Sequence, residues 1–260
     1  MRHGVVECVL RRVSGVNTAC FERSPASSPI RVFACSQLYW RGVCDRMGGV
    51  KTRLLSGASS ERLLLLFAGW GMDVRPFEGM ARAFDTLVVW DYRELSGLPP
   101  LPGDRPVDVV AWSMGVWAAG QVLARGQVVS ATAVNGTPWP IDEVRGIPPA
   151  VFEGTLAGFG AAGLMRFRRR MCGGAAGLKA FEAVAPERSV EELGEELAAL
   201  GRAIGERPAG DFVWTRAVAC REDRIFPLAA QQAAFPEALV RPGAHWAPEV
   251  FGRLLRGEEP

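Results

Sequence analysis

Histidine is almost absent from this 260-residue chain, which has only His3 and His245. Chemistry that needs an imidazole must use one of those two positions. Long apolar runs are missing too. The longest, residues 63–68, is strand length and far short of the ~20 residues that cross a bilayer. No apolar segment follows the early arginines, so the N-terminus does not read as a secretory signal peptide. These absences predict a soluble, cytoplasmic protein without a membrane partner. Charge excess is small, a formal +2 with 22% charged residues, which argues against nucleic acid as a partner. Paired CxxC spacing is missing among the six cysteines: Cys8, Cys20, Cys35 and Cys44 lie 12, 15 and 9 residues apart, while Cys172 and Cys220 stand alone. No metal and no disulfide is assigned, and the two isolated cysteines read as small buried apolar residues.

What is present falls into two unequal parts. Residues 1–46 hold seven arginines against Glu7, Glu22 and Asp45, with no sustained periodicity. They read as a poorly ordered extension ahead of a working start at Met47; a transit-like leader is the other reading. Residues 47–260 read as the folded domain.

From Lys51 onward strands alternate with helices. Residues 62–68, 87–90, 107–112 and 128–134 read as strands, and residues 76–84 and 117–124 as helices. That alternation predicts a mainly parallel sheet with helices on both faces. Residues 138–206 interrupt it with helical patterns only, over 149–159, 163–171, 178–184 and 190–205. They read either as a lid over a site or as ordinary crossover helices. Alternation resumes with strands at 212–220 and 238–241, followed by a C-terminal helix.

The sharpest motif is Ala111-Trp112-Ser113-Met114-Gly115. A strand enters a serine flanked by small residues two before and two after, and a helix follows. This is the G-x-S-x-G nucleophile elbow with alanine in the first glycine position. The plain structural reading is a helix N-cap serine. A serine nucleophile needs a base, and His245 lies in the loop Gly243-Ala244-His245-Trp246 after the last strand. An acid should lie between them to orient the imidazole. Asp223 directly follows the strand at 212–220; its neighbour Glu222 should point elsewhere, and Asp142 is the competitor. The order serine, acid, histidine is that of α/β-hydrolases. Oxyanion donors are expected from the backbone N–H of Met114 and of Trp70, the latter in the loop Gly69-Trp70-Gly71. A tight turn with a packed indole is the alternative for that loop.

Five blocks carry a resemblance: Phe67-Ala68-Gly69-Trp70-Gly71-Met72-Asp73; the elbow with its helix through Ala119; Asn135-Gly136-Thr137-Pro138-Trp139-Pro140-Ile141-Asp142; Gly146-Ile147-Pro148-Pro149 with Phe152-Glu153-Gly154-Thr155-Leu156; and Arg168-Arg169-Arg170-Met171-Cys172-Gly173. Together they resemble the BioG-type pimeloyl-[acyl-carrier-protein] methyl ester esterases, from about Met47 to near the C-terminus. The resemblance implies an α/β-hydrolase fold and hydrolysis of the methyl ester of pimeloyl-acyl carrier protein in biotin precursor synthesis. It places nucleophile, acid and base at Ser113, Asp223 and His245. A thioesterase or general carboxylesterase on the same triad, or a catalytically silent binding protein, are the alternatives.

Residues 163–173 also carry their own signal. Leu164, Phe167 and Met171 form an apolar stripe at helical spacing, with Arg166, Arg169 and Arg170 opposite and Arg168 at the border. An exposed arginine face suits an acidic acyl carrier protein and the phosphate of its prosthetic arm; a solvated helix face is the alternative. The expected protein is a monomer that uses no cofactor.

Overall fold

The apolar run at residues 63–68 is buried throughout, and all but its last residue belong to an inner strand of the sheet. The computed structural model describes residues 49–98, 101, 104–123 and 128–260. The extension expected at 1–46 lies outside the described residues, with His3 and the four cysteines it contains.

Among the described residues seven strands form one sheet: β1 Lys51–Leu55, β2 Ser59–Phe67, β3 Phe84–Trp90, β4 Val107–Trp112, β5 Val128–Val134, β6 Arg216–Cys220 and β7 Leu239–Arg241. Their order across the sheet is β1-β3-β2-β4-β5-β6-β7. Only β1 runs antiparallel to its neighbour; every other pairing is parallel. Consecutive buried residues in β2, β3, β4 and β5 mean these strands are covered on both faces, as a parallel sheet requires.

Eight helices are described: α1 Arg75–Glu78, α2 Met114–Val122, α3 Pro149–Ala157, α4 Ala161–Met171, α5 Ala175–Glu182, α6 Val190–Glu206, α7 Leu228–Ala234 and α8 Pro248–Leu255. Helices α3 to α6 form a continuous insertion between β5 and β6. The longest, α6, starts on a capping box: Ser189 Oγ accepts from the Glu192 N–H, and the Glu192 carboxylate accepts from the Ser189 N–H. Its Leu193, Leu197 and Leu200 are buried.

Parallel register brings the strand ends to one edge. Phe67 pairs with Ala111, Trp112 with Val134, and Val134 with Val218. The loops that follow these strands therefore leave from a shared edge, the usual place for a site in such sheets.

Several boundaries differ from expectation. The helix expected over 76–84 stops after one turn at Glu78, because Phe84 is taken into β3 opposite Ser59. The strand expected over 212–220 begins only at Arg216, where pairing with Thr132 starts. The helical stretch expected over 138–206 begins at Pro149; before it lies a loop in which Asp142 accepts from the Val144 and Arg145 N–H groups. β1 and α7 had no strong pattern in the sequence.

The junction between β4 and α2 is strained. Ser113 adopts φ 59 and ψ −129, a region L-residues rarely occupy. The tight turn leaves no room at Gly115, where a Cβ would lie 2.5 Å from the Ala68 carbonyl oxygen.

Two stability outcomes follow. Ser113→Gly should unfold at a higher urea concentration than Ser113→Ala, by about 1 kcal/mol, because glycine relieves the backbone strain. Ser189→Ala should lower stability by roughly 1 kcal/mol at an unchanged urea m-value through loss of the cap.

Candidate active site

Ser113 stands at the helix N-terminus without capping it: its side chain makes no cap hydrogen bond to α2. Its Oγ lies instead 3.0 Å from Nε2 of His245. The opposite ring nitrogen, Nδ1, is 2.8 Å from Oδ2 of Asp223. All three residues are buried. A neutral imidazole held between a carboxylate and a hydroxyl carries its proton on the carboxylate side and leaves Nε2 free to take the serine proton.

Each partner is fixed by a different part of the chain. Asp223 sits in the turn after β6, where Oδ1 accepts from the N–H groups of Ile225 (2.7 Å) and Phe226 (3.0 Å). Gln231 on α7 donates to Oδ2 at 3.2 Å, so the oxygen facing the imidazole has a second donor. Glu222 points away, with its carboxylate accepting from the Gly243 N–H. Asp142, the competing acid, is occupied by its own loop and by the Arg145 guanidinium. These bonds from Arg145 and Val144 hold its carboxyl below the usual range against a smaller opposing effect of burial.

His245 belongs to no strand or helix, and its backbone is tied down instead. Its carbonyl accepts from Trp112 Nε1 at 3.0 Å and from Asn135 Nδ2 at 2.9 Å. Asn135, at φ 46, also donates to the Ala244 carbonyl and accepts from the Cys220 N–H at 2.7 Å. One buried amide thus ties together the end of β5, the end of β6 and the histidine loop. Phe226 stacks parallel to the imidazole with ring centroids 6.0 Å apart.

The loop after β2 approaches the serine closely: a Cβ on Gly69 would meet the Ser113 Cβ at 3.1 Å. The Trp70 indole packs edge-on against Phe159 and Phe167 of the insertion and donates to the Leu193 carbonyl at 3.0 Å. The packed indole is therefore present. The Trp70 and Met114 backbone N–H groups have no acceptor among the described residues.

Beside Met114 lies a cleft of about 40 Å³ lined by Ile147, Phe152, Leu197 and Ile225, with Arg170 and Arg224 at its polar side. It adjoins an open groove of about 620 Å³ on which Arg166, Arg169, Arg170 and Arg224 converge. The helix α4 orientation follows the stripe read from sequence: Leu164 and Met171 are buried, while Arg166, Arg169 and Arg170 are exposed. Cys172 and Cys220 are buried, and burial pushes each thiol up to about 11, which keeps them protonated. No group of side chains suited to hold a metal occurs among the described residues, and no helix there is long and apolar enough to cross a membrane.

Sequence reading did not single out Gln231, Arg224 or the tethering role of Asn135. Asn135 had one visible signal, an Asn-Gly pair directly after a buried strand.

Residues 50–241 match the family model described as pimeloyl-ACP methyl esterase BioG. The crystal structure of BioG from Haemophilus influenzae is similar at TM-score 0.71 and 35% identity, covering 76% of this chain and 95% of that one. A Bacteroides fragilis protein named malonyl-[acyl-carrier protein] O-methyltransferase is 46% identical over 200 residues, which is 74% of this chain but 41% of that protein. The chain thus spans well under half of that relative, whose name describes the whole of it. A thermophilic esterase from Thermogutta terrifontis shares the fold, at TM-score 0.53 and 15% identity over 80% of this chain and 92% of that one. With a mainly parallel sheet, a helical insertion and a family match over most of its length, the chain has the α/β-hydrolase fold and belongs to the BioG family.

Proposed function

We propose that the protein is a serine esterase that hydrolyses the methyl ester of pimeloyl-acyl carrier protein, releasing methanol and the free carboxylate. The observation that carries this reading is the relay in which His245 lies 3.0 Å from Ser113 and 2.8 Å from Asp223. Ser113 Oγ attacks the ester carbonyl as Nε2 of His245 takes its proton, and Asp223 stabilises the imidazolium. The Trp70 and Met114 N–H groups donate to the oxyanion. The imidazolium returns the proton to the leaving methoxide, so methanol departs and the acyl group remains on Ser113. Water, deprotonated by His245, then attacks this acyl-enzyme and frees the product acid.

The cleft beside Met114 is lined by apolar side chains, the surroundings a methylene chain prefers, and its arginine-lined mouth suits what lies at the chain's far end. Arg166, Arg169 and Arg170 would meet the acidic carrier and the phosphate of its prosthetic arm, with Arg224 beside them. In this reading residues 47–260 are the hydrolase domain, and the insertion acts as a lid that shapes the channel between carrier and serine. The reaction needs no cofactor, and a cytoplasmic monomer suits a carrier-linked substrate.

Mass spectrometry of the pimeloyl-carrier methyl ester after incubation with the protein should show the free acid, lighter by one methylene, and Ser113→Ala should abolish it. Thioester cleavage with the methyl ester intact would make the protein a thioesterase. Failure of a fluorophosphonate probe to label Ser113 would remove the esterase reading altogether. Reversing charge with Arg169→Glu and Arg170→Glu together should raise KM for the carrier-linked ester roughly tenfold at low salt while sparing a small soluble ester. An equal loss on both substrates would refute a docking role for these arginines.

A further inference from the structure

Glu196 is fully buried on α6, in the insertion, yet its carboxylate faces the loops at the ends of β2 and β3. Oε1 accepts from the Tyr92 N–H at 2.9 Å, and Oε2 accepts from the Gly71 N–H at 3.3 Å. Its counter-ion is Arg188, whose Nη1 lies 2.6 Å from Oε2 and also donates to the Met72 carbonyl at 3.2 Å. Arg188 pairs in turn with Asp91, which Arg93 and Lys51 also hold. Burying a carboxylate this completely is costly, and an apolar side chain of similar volume would join the helix to the core at least as well. A use for the charge has to be sought in what it touches.

It touches the turn that carries Trp70. The Met72 N–H donates to the Gly69 carbonyl at 3.3 Å, closing a four-residue turn over residues 69–72. Gly71, third in the turn, has φ 78, and Trp70, second, is not among the residues with positive φ. That combination defines a type II turn. Type II differs from type I by a flip of the central peptide, and the N–H of that peptide belongs to Gly71. The bond to Glu196 holds the type II orientation. The insertion grips the same turn at two further points, where the Leu193 carbonyl accepts from the Trp70 indole and Arg188 donates to the Met72 carbonyl, and it holds the next residue through the Glu187 N–H, which donates to the Asp73 carboxylate at 2.9 Å.

We infer that Glu196 is a positioning residue: from the insertion it locks the turn of residues 69–72, and by fixing that turn it holds the neighbouring Gly69–Trp70 peptide so that the Trp70 N–H faces the oxyanion. The inference rests on the esterase reading, and within that reading it makes the insertion part of the catalytic apparatus. The oxyanion donor is correctly aimed only while α6 is seated on the loop. Burial raises the proton affinity of Glu196, while Arg188 and the Tyr92 N–H oppose that rise.

Two variants test this from opposite sides. Glu196→Gln keeps the shape but leaves an amide with one acceptor oxygen where two N–H groups and a guanidinium converge. Gly71→Ala leaves the carboxylate untouched and penalises only the positive φ, since a Cβ there meets Leu193 at an ordinary 3.9 Å. On p-nitrophenyl acetate each variant should lower kcat by about 10- to 100-fold with KM nearly unchanged, the signature of an interaction made in the transition state. Affinity for a trifluoromethyl ketone, which forms an oxyanion on the serine, should fall in parallel. Hydrogen exchange across residues 69–73 should quicken in both variants.

Unchanged kcat in either variant, or a kcat loss in Glu196→Gln without faster exchange in that segment, would overturn the inference. So would a fall in kcat that leaves ketone affinity intact. A wild-type protein inert toward the small ester and unlabelled by fluorophosphonate would overturn it too, and that result, visible before any variant is made, marks failure of the esterase reading itself.

Discussion

The His245 carbonyl accepts two hydrogen bonds, from Trp112 and Asn135, and the arrangement of the site depends on them. The imidazole sits on a loop with no ladder or helix to hold it, so its position must come from tertiary contacts. Both donors stand at the carboxyl ends of neighbouring parallel strands, which ties the loop to the most rigid part of the fold. Trp112 is the residue before Ser113, so the distance between imidazole and serine is set over a short path through one strand end. Asn135 reaches the Cys220 N–H as well, which puts the strand leading to Asp223 in the same frame. The strained backbone of Ser113 is tolerable in this setting because the structure on all sides determines it.

Much of this was legible in the sequence, and the reasons are specific. Val107–Trp112 and Val128–Val134 were expected with the bounds the structure has, because short valine- and alanine-rich segments between turn residues have few alternatives to buried strands. That Ser113, Asp223 and His245 meet could be expected because chain order is constrained in this fold and the histidine supply is so short. What escaped notice depended on distant partners. β1 is an edge strand with alternating exposure whose identity comes from pairing with β3. Residues 79–84 look helical until the sheet claims Phe84. Asn135, Gln231 and Glu196 are polar residues whose meaning lies in where they point, and for Asn135 and Glu196 the partners are about a hundred positions away in the chain.

The polar and apolar halves of the site divide along recognisable lines. Around the imidazole lie rings and aliphatic chains: Trp112, Phe226 and Trp246, with Phe251 behind them. Such surroundings strengthen the few hydrogen bonds they contain, because water does not compete. The arginines gather outside, on the open groove, where their charge acts at a distance and is screened by salt. Arginine suits that place better than lysine, since its planar fork can engage a phosphate or a carboxylate through two bonds at once.

The last turn of α4 makes one quiet contact with the His245 loop: the Met171 carbonyl accepts from the Trp246 N–H at 2.9 Å. The insertion is therefore bolted at two corners, here beside His245 and at Glu196 beside the 69–72 turn. Raising the insertion like a hatch would break its bonds beside His245 and at the 69–72 turn together, so the two ends of the site share one fastening.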